Sequence, residues 1–71
     1  MNYLAEQINL PLRLKIFEVC GGQWRFAQLV GVHESTISKM VRCQRPVPPE
    51  TRKKWAKVLG CRVEDIFSDA G

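Results

Sequence analysis

Apolar residues recur along this 71-residue chain at intervals of three and four, never in sustained alternation with polar ones. Leu12, Ile16, Val19 and Cys20 stand at i, i+4, i+7 and i+8. They predict a first helix with Pro11 in its opening turn, where the missing N–H costs nothing, and an end at Gly21-Gly22. Phe26, Ala27 and Val30 share one face of a second helix over 23–30, and Ile37, Met40 and Val41 one face of a third over 34–42. Three prolines within Pro46-Val47-Pro48-Pro49 exclude a helix interior and predict a stiff connector. Pro49 then opens a fourth helix that buries Trp55, Val58 and Leu59 and stops at Gly60, with Glu50 near its positive end. A last turn offers Val63, Ile66 and Phe67 to close the core. The expectation is an all-α domain of five short helices, with a core over 12–67. Residues 1–10, with Tyr3, Leu4 and Ile8, fit either an arm or an extra helical turn.

A chain of this length makes one domain with a modest core. Its 45% apolar and 25% charged residues are ordinary for a soluble globular protein, and its apolar runs are too short to span a membrane. No basic start followed by an apolar stretch precedes Gly22, so the chain is expected to stay in the cytoplasm. Cys20, Cys43 and Cys61 form no CxxC pair and have no histidine at zinc-ligand spacing. They read as thiols in a reducing compartment, buried as small apolar residues. With one histidine, no paired acids beside a nucleophile and no glycine-rich phosphate loop, the chain is not expected to be an enzyme or to bind a cofactor or metal.

The net charge of +4 is unevenly spread. Residues 23–62 carry nine bases (Arg25, Lys39, Arg42, Arg45, Arg52, Lys53, Lys54, Lys57, Arg62) against Glu34 and Glu50, which is +7; residues 1–22 balance to zero and residues 63–71 carry −3. Positive charge concentrated on the second to fourth helices is the footprint of a polyanion binder, or a solvated basic surface.

The spacing within 23–42 narrows this. Gln23 opens a helix, Ala27 stands where two helices would touch, Gly31 stands at a turn that needs positive φ, and Ile37 lies six residues on. That is the spacing of a DNA-binding helix-turn-helix. The third helix then presents short polar groups near its start and a base farther along, as reading a major groove requires. Candidate base contacts are Glu34, Ser35, Thr36, Ser38 and Lys39. Lys39 can donate to guanine, Glu34 can accept from cytosine, and Thr36 can meet a thymine methyl group. Glu34 has a second role open to it, favouring the helix start by charge–dipole attraction. Candidate phosphate contacts are Gln23, Trp24, Arg25, His33, Arg42, Arg45, Arg52, Lys53 and Lys54, which would fix register without reading sequence. His33 is a weaker cap than Ser or Thr, and either touches phosphate when protonated or only marks the turn. Trp55 reads as core.

Residues 12–67 resemble the Cro/repressor-type (XRE-like) helix-turn-helix domain of phage and bacterial regulators. The resemblance rests on Gln23-x3-Ala27-x3-Gly31-Val32-x2-Ser35-x-Ile37-Ser38-Lys39, and on Leu59-Gly60-Cys61-x-Val63-x-Asp65-Ile66-Phe67. The segment Arg45-x-Val47-Pro48-Pro49-Glu50 is similar to the connector of small Cro-like prophage regulators. The resemblance implies a lambda-repressor-like domain that binds operator DNA as a homodimer and controls transcription, most simply as a repressor on a near-palindromic site. It places Gln23 on phosphate and Glu34, Ser35, Ser38 and Lys39 against bases. Glu34 stands where the family usually has Gln, and Ile16 where some repressors carry an Arg in a buried ion pair. No membrane partner or small-molecule effector is implied, and pairing would use residues 1–10 or apolar parts of the fifth helix. The alternative is the same fold used to dock another protein, such as a toxin or polymerase partner.

Overall fold

Asn9 starts the first helix one residue earlier than Pro11 alone suggests. Its side-chain oxygen accepts the Leu12 N–H (3.2 Å), its side-chain amide donates to the Ile66 carbonyl (2.8 Å), and its backbone N–H donates to the Val41 carbonyl (2.7 Å). One residue thus caps a helix and ties it to two distant segments. The computed structural model describes residues 8–67; the expectation for Tyr3 and Leu4 lies outside them. The elements are α1 (Leu10–Cys20), α2 (Gln23–Val30), α3 (Glu34–Val41), α4 (Pro49–Leu59) and α5 (Val63–Ile66). The described residues contain no strand, and no helix among them is long and apolar enough to cross a membrane.

Trp55 is the centre of packing. It is fully buried, with Phe26 edge-on at 5.0 Å between ring centroids and an interplanar angle of 84°, and Phe67 tilted at 6.3 Å. An edge-to-face pair contributes about 0.5–1.5 kcal/mol beyond its buried area. Leu12 and Ile16 from α1, Ala27 and Val30 from α2, Ile37 and Val41 from α3, Ala56 and Leu59 from α4 and Ile66 from α5 complete the core.

Several inward residues differ from the periodicity reading. Val19 is 49% exposed, because α1 turns Leu12 and Ile16 inward and leaves Val19 at the border of that face. Val58 is half-buried and the smaller Ala56 is the buried neighbour of Trp55. Val47, hidden in the proline run, is buried and anchors the connector.

α3 ends at Val41, one residue short of the expected Arg42. Cys43 adopts φ 61°, its N–H donates to the Met40 carbonyl (3.1 Å), and the Gln44 N–H reaches the Lys39 carbonyl (2.8 Å). This is a Schellman stop with cysteine where glycine is usual. Cys43 is therefore exposed and not a core thiol. Cys20 and Cys61 are half-buried against the core, and loss of hydration pushes both thiols up from the ordinary value of 9.0. α5 starts with the Asp65 carboxylate accepting the Arg62 N–H at 3.0 Å. Ile66 is buried, and Val63 and the following Phe67 are half-buried against the core.

Candidate nucleic-acid interface

The α2–turn–α3 unit is built from its glycine outward. Gly31 has φ 71°, and its N–H and that of Val32 both donate to the Ala27 carbonyl, at 2.9 and 3.1 Å. Ala27 is 6% exposed, which suits a small residue where two helices approach. Val32 packs half-buried on the core and directs the chain into α3. Ile37 and Val41 are then buried and Met40 packs partly behind them. That fixes the rotation of α3 and leaves Glu34, Ser35 and Lys39 exposed, with Thr36 and Ser38 half-buried on the two margins of that face.

His33 is the N-cap of α3. Its Nδ1 accepts the Ser35 N–H at 3.3 Å, and Ser35 Oγ lies 3.0 Å from the same nitrogen. The ring acts as the cap that Ser or Thr usually provides. Accepting at Nδ1 requires an unprotonated nitrogen there, so the capping tautomer carries its proton on Nε2. His33 thus holds the turn into α3, one of the two roles its place in the sequence leaves open.

Gln23 is the first residue of α2, half-buried; Trp24, 60% exposed, and Arg25 follow it outward. Gln23, Arg13, Phe17 and Glu34 line one depression, and Trp24, Gln28, His33 and Glu34 line the next. The start of α2 and the start of α3 thus form one continuous surface. Arg13, in the charge-neutral segment 1–22, borders that surface. Only the packing of α1 across α2 and α3 brings it there. Among the described residues, ion pairs join Lys15 to Glu18 (3.5 Å) and Arg62 to Asp65 (4.0 Å), and Glu34 has none.

Arg42 and Arg45 are exposed just after the last turn of α3. Lys53 and Lys54 are exposed on α4, which packs on α1, α2 and α5 but not on α3. Arg52, half-buried, also makes contacts within the fold. Its Nε donates to the Val47 carbonyl at 2.9 Å, and its guanidinium lies 5.0 Å over the Phe67 ring. It clamps the proline connector and Phe67, just after α5, to α4, a combined hydrogen-bond and cation–π role. No group of three or more metal-ligating side chains occurs among the described residues. Comparison with protein-family models, curated proteins and solved structures finds no match to this chain.

Proposed function

We propose that this chain is a sequence-specific DNA-binding regulator, acting as a repressor, whose α3 enters the major groove. Two copies would bind a near-palindromic operator with their third helices about 34 Å apart. The observation that carries the reading is the rotation of α3: Ile37 and Val41 are buried while Glu34, Ser35 and Lys39 stand exposed together. Ser35 and Lys39 would donate to base edges and Glu34 would accept from them, with Thr36 and Ser38 contacting at the margins. Gln23 with the free N–H groups at the start of α2, His33, Trp24 and Arg25 would hold one stretch of backbone; Arg42 and Arg45 would hold the next. Lys53 and Lys54 would add long-range attraction.

Selection of bound sites from a random duplex library at two ionic strengths tests this. A two-fold symmetric consensus is expected, with affinity falling by roughly 0.9 log units per neutralised phosphate per decade of salt. Lys39→Ala should cost about 1–3 kcal/mol and relax preference at one position of each half-site. No selected sequence, with affinity independent of salt, would refute the proposal and favour protein docking.

A further inference from the structure

The outward face of α1 is apolar where a solvated helix would be polar. Leu10, Leu14 and Phe17 are 51%, 57% and 66% exposed and stand at i, i+4 and i+7, opposite the buried Leu12 and Ile16. This spacing is the d–a–d seam of a heptad. Arg13 and Glu18 flank the seam on opposite sides, five residues apart, at the g and following e positions.

We infer that this face is where a second copy of the chain pairs, through α1 packed side by side and parallel with its counterpart. Charge decides both the occupant and the direction. In a parallel pair each g residue meets the e residue five positions on in its neighbour, so Arg13 faces Glu18 of the other copy, twice by symmetry. In an antiparallel pair like flanks meet and neither contact forms. The Lys15–Glu18 pair within one helix does not prevent the exchange, because its glutamate is 71% exposed and such surface pairs are weak. Three apolar side chains make a small seam, so free dimers are weak and DNA or a longer contact would strengthen them. The inference rests on the dimeric part of the proposed function and names the surface that serves it.

Sedimentation equilibrium of the DNA-free full chain between about 10 µM and 1 mM tests it, a range that brackets weak association. Concentration-dependent dimers are expected. Leu14→Asp should weaken them by more than about a hundredfold, and Arg13→Glu or Glu18→Arg alone by about tenfold. The double swap R13E/E18R should return self-association to within about threefold of the parent. Each variant's melting curve reports on its fold, which these exposed positions leave intact. A chain that stays monomeric throughout, dimers indifferent to Leu14→Asp, or charge swaps that do not rescue each other would overturn the inference. None of those results bears on whether one copy binds DNA, so the two readings fail separately.

Discussion

Replacing Cys43 with glycine should stabilise the protein. Cys43 sits at φ 61°, in the left-handed region, and ends α3 through two backbone hydrogen bonds that do not involve its side chain. A side-chain-bearing residue pays roughly 1–2 kcal/mol to hold that conformation. Glycine removes the cost but returns roughly 0.5–1 kcal/mol through its greater freedom when unfolded. The thiol is exposed and its nearest hydrogen-bond geometry, to the Val41 carbonyl, is long at 4.0 Å, so little packing is lost. At the midpoints of these ranges the net gain is about 0.75 kcal/mol, or a rise in melting temperature of roughly 3–6 °C for a domain of this size. Circular dichroism melts of Cys43→Gly and Gly31→Ala make a matched pair. Gly31 has φ 71° and nothing within 4 Å of an added Cβ, so its substitution isolates the same backbone term with the opposite sign. A Cys43→Gly melt at or below the parent, alongside a destabilised Gly31→Ala, would refute the reasoning.

Asn9→Ala should destabilise by about 1–3 kcal/mol, since it removes a cap and a hydrogen bond to the Ile66 carbonyl, and Asn9→Asp should recover only the cap; denaturant titration distinguishes the two. Arg52→Ala should lower thermal stability without changing the salt slope of DNA binding, whereas Arg42→Ala should reduce that slope by about one and leave the melt unchanged. Alkylation at mildly alkaline pH should modify Cys43 well before Cys20 and Cys61, whose thiols are held above the ordinary 9.0 by burial. Folded thiols that resist ionising support stability fully below that value, and the support is lost as pH rises through the raised one, so melting temperature should decline above about pH 9.

Helix boundaries and most of the core were legible in the chain itself, because the three-and-four periodicity, Pro49 and the glycines at 21, 31 and 60 are local signals. The exposed face of α3 was legible for the same reason: once Ile37 and Val41 point inward, helical geometry turns Ser35 and Lys39 out. What tertiary structure alone decided were roles that depend on neighbours distant in sequence. Val47 became core and Arg52 became a clamp because the proline run folds back on α4 and Phe67. Arg13 joined Gln23 and Glu34 because α1 crosses both following helices. His33 capped α3 because its ring can turn to meet the Ser35 amide, an option residue preferences rank low. Local pattern determines which side of each helix is apolar; only packing determines whether that side is covered, and on α1 it leaves Leu10, Leu14 and Phe17 open.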